Sequence, residues 1–400
     1  MNLKRQKAKT NNFKRTTIRR LIILGVLVLL FVVMILLKNS QTVCEFFART
    51  FSRAWIFIFG NLFGWLPFSL YELFLIVVIV GAIVFVVLEI VFLAKHKWRS
   101  LLSAALIVTL SVFTFLNIYT ATASFSYGRD ELPTEVYSEY SGDDLTFDEA
   151  VSLAEKIINQ VNADYRATDH DADGNIIYPY TFREVSNMLA EEYKRLESNY
   201  FSSYTPRGKK IINKTIMSEM GITGVFFAPF GEANVNGYEV RNMYFPHTLA
   251  HELAHGKGVM REYEANLVAS YICLTSDNPY LRYGALVYHI WDALEIVNSY
   301  PNSYETYKQL YAQIDEGIWQ ERSNYFAFYQ QFDTLDRIGN FFNDLYLKLN
   351  KQEDGTGSYF KPGENVDTGE KDDDGFTIVQ VIKFSGNENL LIKLFKENRL

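Results

Sequence analysis

The chain has 400 residues, with 39 Lys or Arg, 46 Asp or Glu and two cysteines. Two cysteines exclude a disulfide framework and a cysteine-rich zinc site. The charge is divided unevenly, since residues 1–125 carry 14 basic and 3 acidic side chains and the remainder carries 25 basic and 43 acidic ones. The acidic part has no electrostatic basis for binding nucleic acid, so no nucleic-acid partner is expected.

Three apolar segments near the N-terminus are long enough to cross a bilayer. They follow residues 1–20, which contain eight Lys or Arg and no acid and are interpreted as a cytoplasmic basic tail. A cleaved signal peptide is the alternative for the first segment, but no small-residue cleavage site follows it. The membrane domain is expected at 21–124, with spans at 21–37, 71–94 and 100–124, each sufficient for a hydrocarbon core of about 30 Å.

The distribution of basic residues predicts the topology. The tail and the "KHKWR" at 95–99 are expected in the cytoplasm, which places the connection 38–70 and everything beyond residue 125 outside. The apolar segment 54–70, "AWIFIFGNLFGWLPFSL", would invert this arrangement if it spanned the bilayer. It is rich in Trp and Phe and is broken by Gly and Pro, so we expect an interfacial or re-entrant segment. The expected location is a cell membrane that the chain crosses several times, with the lipid bilayer as a partner.

Residues 125–400 are expected to form a mainly helical extracytoplasmic domain with a small β-sheet. A helix is predicted at 146–165, where a Thr cap precedes apolar positions at helical spacing. The segment 221–236, "GITGVFFAPFGEANVN", indicates an edge strand with a turn. Its Glu232 and Asn234 either line a cleft or belong to a structural turn.

Further helices and one strand complete the predicted elements of this domain. The segment 351–375 is polar and Gly-rich and is interpreted as a mobile loop, and 376–384 alternates like a strand. Helices are predicted at 186–201, 247–257, 262–275, about 279–299, 303–315 and 320–350.

The most informative stretch is "HTLAHELAHGKGVMREYEANLVASY" at 247–271. His251 and His255 are four residues apart, so a helix places both imidazoles on one face, where two neutral nitrogens can bind one Zn²⁺. Glu252 then lies beside the open position of the metal, where a carboxylate can take a proton from a bound water and later protonate a leaving amine. A chance HExxH on a core helix is the alternative, and a third ligand is the context that would argue against it.

The residues after this helix supply two candidates for a third ligand. Gly256 and Gly258 can end the helix and let the chain double back. Glu262 and Glu264 then point to nearly opposite sides of the next helix. We favour Glu262, which shares its face with small residues, whereas Glu264 lies beside bulky ones and is expected at the exposed start of the helix. Asn266, one turn after Glu262, is expected to hydrogen-bond the far nitrogen of a ligand imidazole.

The stretch resembles the gluzincins, zinc peptidases whose third ligand is a Glu on the helix after HExxH. Glu262-x-x-Ala265-Asn266 is similar to the E-x-x-A-D of HtpX-type membrane proteases and the E-x-x-A-N of ImmA/IrrE-type metallopeptidases. Only six residues separate His255 from Glu262, fewer than in most gluzincins. Metzincins make a similarly tight return through a glycine three residues after the second His, the offset that Gly258 occupies here.

Nearly the whole chain is similar to a bacterial membrane-protein family classed as a zincin-like domain of unknown function. The resemblance implies an α+β zincin-like metallopeptidase domain with Zn²⁺ as cofactor, held by His251, His255 and Glu262. The matching pieces are "LPFSLYELF", "GITGVFFAPFGEANVN", "HELAHGKGVMREYEAN" and "NDLYLKLNKQEDGTGSY".

Weaker signals favour structural interpretations. The "DHDADGN" of 169–175 is similar to the start of a calcium-binding loop, but Tyr180 stands where a bidentate Glu is required, so a solvated β-turn is favoured. His247 is expected at the helix start or behind the ligands. His289 is expected in the core, with stabilisation of an oxyanion as the alternative.

These features predict a membrane-anchored zinc metallopeptidase that hydrolyses peptide bonds in extracytoplasmic proteins or peptides. One alternative is a membrane sensor or transducer, which the short cytoplasmic segments disfavour. Another is an envelope scaffold whose outer domain binds zinc without proteolysis, which Glu252 disfavours because a structural zinc site has no need of that carboxylate.

Overall fold

The computed structural model describes residues 2–332, 334–373 and 375–400, with side chains from residue 11 onward. Its first part consists of helices. These are α1 (Asn2–Leu37), α2 (Gln41–Phe47), a π-helical turn (Ala48–Ser52), α3 (Arg53–Gly64), α4 (Leu70–Ala94) and α5 (Trp98–Thr122).

Three of these helices are long and apolar enough to cross a membrane. Among the described residues they cover Asn11–Leu37, Leu70–Ala94 and Trp98–Thr122, with 27, 25 and 25 residues. Their apolar side chains are almost all exposed, which suits lipid as surroundings and not water. The prediction of membrane association is thereby confirmed, whereas the sidedness stays a prediction.

Helix α3 occupies most of the segment expected to be interfacial or re-entrant. It has 12 residues, about 18 Å of helix at 1.5 Å per residue, which is shorter than a hydrocarbon core. It packs against the large domain, since Trp55 Nε1 donates to the Pro229 carbonyl at 3.1 Å. Gly231, at φ +63°, lies so close to Gly60 that a Cβ on it would be 3.0 Å from the Gly60 nitrogen. Glycine is therefore required at position 231, where the chain passes close to α3.

The large domain is mainly helical, as predicted. Its core is formed around the long helix at 147–167 and three helices between 245 and 298. In chain order its helices are α6 (Phe147–Ala167), α7 (Phe182–Glu192), α8 (Lys214–Glu219), α9 (Phe245–Gly256), α10 (Glu262–Leu274), α11 (Pro279–Asn298), α12 (Tyr304–Tyr311), α13 (Glu316–Tyr329), α14 (Asp336–Leu349) and α15 (Gly386–Lys396).

Three small sheets accompany the helices. The middle one has the order β3–β5–β4, with β3 parallel and β4 antiparallel to β5, so that β4 is an edge strand. The other two are antiparallel pairs of β1 with β2 and of β6 with β7. The strands are β1 (Asp169–His170), β2 (Ile176–Ile177), β3 (Gly208–Ile211), β4 (Gly224–Phe227), β5 (Glu232–Asn236), β6 (Glu364–Lys371) and β7 (Thr377–Lys383).

Two sequence predictions need correction. The segment 351–375, interpreted as a mobile loop, contains β6 and a 3₁₀ turn at Gly355–Tyr359. All eight residues of β6 are exposed, so the strand has no apolar alternation and is held by its pairing with β7. The helix predicted at 320–350 is divided into α13 and α14.

The large domain caps the ends of two membrane-proximal helices. Glu232 Oε2 accepts hydrogen bonds from the Leu70 and Tyr71 amides at 2.9 and 3.3 Å, at the N-terminus of α4. Lys209 Nζ donates to the carbonyls of Phe63 and Gly64 at 3.2 and 3.3 Å, at the C-terminus of α3. Each charge has the sign that stabilises the helix end it faces. Glu232 thus joins the domain to a candidate span and does not line a cleft.

Candidate metal centre

The centre is built on α9, the turn after it and the first turn of α10. Helical spacing places His251 and His255 on one face of α9, and both side chains are buried. The chain then reverses through Gly258, whose φ of +97° is readily adopted only by glycine. As a result α10 begins at Glu262, directly opposite the two histidines.

Three ligand atoms converge at this point. His251 Nε2 lies 3.1 Å from His255 Nε2 and 3.1 Å from Glu262 Oε2, and His255 Nε2 lies 3.5 Å from the same carboxylate oxygen. Ligands bound tetrahedrally at 2.0–2.1 Å are separated by about 3.3 Å, so these donors have a suitable spacing for one ion. Among the described residues, they are the group of His, Cys, Asp and Glu side chains that could hold a metal.

The far nitrogen of each histidine has a partner that fixes its ring. His251 Nδ1 lies 2.7 Å from Asn266 Oδ1, and His255 Nδ1 lies 2.7 Å from the Val259 carbonyl. Both partners are hydrogen-bond acceptors, so each imidazole carries a hydrogen on Nδ1 and turns its Nε2 toward the centre. Asn266 is itself held, because its Nδ2 donates to the Tyr359 carbonyl at 3.0 Å.

Glu252 lies next to the three candidate ligands without being one of them. It is 5 % exposed, and its Oε2 has no hydrogen-bond partner among the described residues. Burial raises the pKa of this carboxyl to about 7, against the opposing effect of the two imidazoles. Gly224 on β4 faces it, and a Cβ there would lie 2.8 Å from Glu252 Cδ. A buried carboxylate with a free oxygen is available to exchange protons with a molecule bound at the centre.

Charge within the cluster couples His255 to Glu262. Burial lowers the pKa of His255, but the Glu262 carboxylate outweighs this effect and raises it to about 9. Burial conversely raises the pKa of Glu262, and the two histidines bring it down to about 2. The carboxylate is therefore ionised at neutral pH, as a metal ligand must be.

Glu264, the other candidate for third ligand, points away from the centre. Its carboxylate accepts from Arg261 Nη2 at 2.5 Å and from the Tyr263 hydroxyl at 3.4 Å. The residue is 2 % exposed, so the expectation that it lies at the exposed start of α10 is wrong. The Arg261 guanidinium explains the burial, because it supplies a partner for a carboxylate that would otherwise be costly to remove from water.

His247 and His289, the two other histidines that the sequence singled out, are held by other partners. His247 Nε2 lies 2.9 Å from Ser270 Oγ, and the ring stacks on Tyr288. Burial lowers the pKa of His247 to about 3, so it is neutral. His289 is fully buried with Nδ1 2.8 Å from Asp292 Oδ2.

The "DHDADGN" stretch forms the turn between β1 and β2. Asp171 Oδ1 accepts from the amides of Asp173 and Asn175 at 3.0 and 2.8 Å, and Gly174 has a φ of +85°. The Asp171 carboxylate thus supports the turn itself, which agrees with the β-turn interpretation.

A group of tyrosines that the sequence did not single out lies beside the centre. The Tyr346 and Tyr127 hydroxyls are 3.0 Å apart, and burial together with the charges of Glu262 and Glu252 raises the pKa of Tyr346. The Tyr359 ring stacks on His251 with centroids 6.4 Å apart. No spacing in the sequence links these tyrosines to the motif, although Tyr346 and Tyr359 lie within the "NDLYLKLNKQEDGTGSY" piece.

Comparisons with known proteins give one match. No curated protein and no solved structure matches the chain. The model of the family described as "Protein of unknown function (DUF3810)" matches residues 47–362, which include two of the three candidate spans and the whole metal centre. Because the match covers most of the chain, the protein belongs to this family.

Proposed function

We propose that the protein is a membrane-anchored, zinc-dependent metallopeptidase that hydrolyses peptide bonds in extracytoplasmic proteins or peptides. The observation that carries this proposal is the combination of three converging ligand atoms with the unpaired, buried Glu252 carboxylate. A purely structural metal site usually closes its coordination with a fourth protein ligand and has no use for an adjacent free carboxylate.

The donor set favours zinc as the ion. Two neutral imidazoles and one carboxylate are common ligands of catalytic Zn²⁺, and such sites keep one position open. Zn²⁺ bound by His251, His255 and Glu262 would supply a Lewis acid that lowers the pKa of water and polarises a peptide carbonyl.

Glu252 has the chemistry needed for the proton transfers. Its free Oε2 can accept the proton that a water loses on attacking the carbonyl carbon, and the same oxygen can deliver it to the departing amine. Asn266 and the Val259 carbonyl keep His251 and His255 oriented during this cycle. Strand β4 passes Glu252 with a free edge, to which an extended peptide can add main-chain hydrogen bonds.

The proposal is tested by replacing Glu252→Gln in the full-length protein. The amide keeps the size of the side chain but cannot accept the proton, so zinc should be retained at one ion per chain while peptide cleavage falls roughly 10²–10⁴-fold. Metal content is measured by mass spectrometry, and cleavage by comparing the new N-termini of extracytoplasmic proteins in cells expressing either form.

Glu239→Gln is the matched control. Glu239 is fully buried in the same domain, but it bonds to Asn242 and Tyr329 and not to the centre, so this variant should keep both zinc and cleavage. Identical N-termini in the wild type and Glu252→Gln, with zinc bound in both, would reject the peptidase and leave a zinc-binding sensor or scaffold.

A further inference from the structure

Helix α14 has an apolar side that nothing in the described chain covers. Gly339 and Leu347 face the domain and are buried. A stripe of large apolar residues lies more than a third of a helical turn away from this buried side. Its members have i, i+3, i+4, i+7 and i+11 spacing. These are Ile338, Phe341, Phe342, Leu345 and Leu349, which are 50, 64, 58, 43 and 71 % exposed. A helix of a water-soluble domain turns such a stripe toward the core, so the outward direction here needs a partner.

Hydrogen bonds hold the C-terminal end of α14 at the level where the spans end. Asn350 Nδ2 donates to the Tyr119 hydroxyl at 2.7 Å, and Asn350 Oδ1 accepts from Ser124 Oγ at 2.7 Å, both at the end of α5. Lys351 Nζ donates to the Lys38 carbonyl at 2.9 Å, at the end of α1. The ends of the spans belong at the boundary between hydrocarbon and headgroups, so the C-terminal end of α14 lies at that level.

A second apolar group lies at the same level, next to α4. Ile212 and Ile216 are 71 and 52 % exposed, and the Ile212 amide donates to Glu72 Oε2 in the first turn of α4 at 3.1 Å. The backbone of Met220, at the end of α8, lies directly against Gly339, so α8 and α14 are in contact. The two apolar groups are thus tied by hydrogen bonds to the ends of all three candidate spans.

We propose that α14 is an interfacial helix whose apolar stripe enters the lipid leaflet on the side of the large domain. The bilayer is the occupant that the anchoring favours, because a leaflet surrounds the span ends to which α14 is bonded. A polar side of the helix lies between the stripe and the buried side, and its residues Arg337, Asn340 and Lys348 are exposed and lie in water. The proposal rests on the candidate spans and is independent of the metal centre.

The test uses full-length protein with one added cysteine, which is practical because Cys44 and Cys273 are buried. Phe342→Cys on the stripe and Asn340→Cys on the polar side are labelled with a small fluorophore, and the protein is placed in lipid nanodiscs. Lipids with a nitroxide near the headgroup should quench the label at 342 and leave the label at 340 bright. Iodide in the buffer should quench the label at 340 and leave that at 342 bright.

Leu349→Cys repeats the measurement on the stripe if Phe342→Cys does not fold, since Leu349 is largely exposed and supports no core contact. Quenching of the stripe label by iodide and not by lipid would overturn the proposal in favour of a water-exposed helix. Protection from both quenchers would overturn it in favour of a protein partner or a second copy of the chain.

Discussion

The orientations of Glu262 and Glu264 on α10 determine which of the two carboxylates faces the candidate metal centre. They lie on one helix and are equally hidden from water, but Glu262 is within 3.5 Å of both histidines and Glu264 is paired with Arg261. Helical geometry separates them by about 200°, so only one can face α9. The phase of α10 is set by the reversal at Gly258 and by the packing of its small residues toward α9.

We expect Glu262→Gln to lose most of its zinc at neutral pH, since a neutral amide is a poor ligand and leaves two histidines alone. Glu264→Gln is the matched control and should keep about one ion per chain, because the amide can still accept from Arg261. Zinc is measured per folded chain after size-exclusion chromatography in detergent. The opposite distribution of zinc between the two variants would make Glu264 the ligand.

Much of the centre follows from local geometry in the sequence. The positions of His251, Glu252 and His255 relative to one another are a property of any helix, and the glycines after His255 explain how Glu262 returns so soon. The burial of Glu264 could not be foreseen, because it depends on the direction taken by Arg261. Tyr346 and Tyr359 could not be foreseen either, since tertiary packing brings Tyr346 to Tyr127, 219 positions earlier in the chain, and brings Tyr359 to His251.

At the scale of the elements, the contact between β4 and α9 positions the free carboxylate. The backbone of β4 approaches Glu252 so closely at Gly224 that no side chain fits between them. The sequence indicated an edge strand at this place from its β-prone residues and its turn, but the approach to α9 depends on tertiary packing. The β6 strand could not be predicted from the sequence either, because a strand that is exposed on both sides has no periodic pattern of apolar residues.

We expect Gly224→Ala to reduce peptide cleavage about 100-fold, the cost of misplacing a catalytic group by about 1 Å. The added methyl would meet Glu252 Cδ and Cγ at 2.8 Å, so the carboxyl must move, whereas the three ligands lie elsewhere and zinc should stay bound. Gly357→Ala is the control, because its Cβ would make only an ordinary contact of 3.4 Å with Asp354. Unchanged cleavage in Gly224→Ala would show that the strand does not hold Glu252 in place.

At the scale of the whole molecule, the helix ends and the basic residues lead to the same arrangement. The ends of α1 and α5 and the start of α4 are all bonded to the large domain, through Lys351, Asn350 and Glu232. The opposite ends carry the basic cluster before residue 21 and the "KHKWR" between α4 and α5. Basic residues favour the cytoplasmic side, so the metal centre is expected outside, close to the membrane surface.

We therefore expect opposite labelling of two introduced cysteines in intact cells. Glu155→Cys, on the exposed side of α6, should react with a membrane-impermeant maleimide, and His96→Cys, in the turn between α4 and α5, should react only after the membrane is permeabilised. The unmodified chain is the background control, since Cys44 and Cys273 are both buried. Labelling of residue 96 and protection of residue 155 would place the centre in the cytoplasm. In that case the three spans would have the inverted orientation, and extracytoplasmic proteins could not be the substrates. The proposal that α14 is an interfacial helix would not be affected by that result, because α14 would then meet lipid on the cytoplasmic side. The labelling experiment therefore tests the location of the peptidase separately from the position of α14.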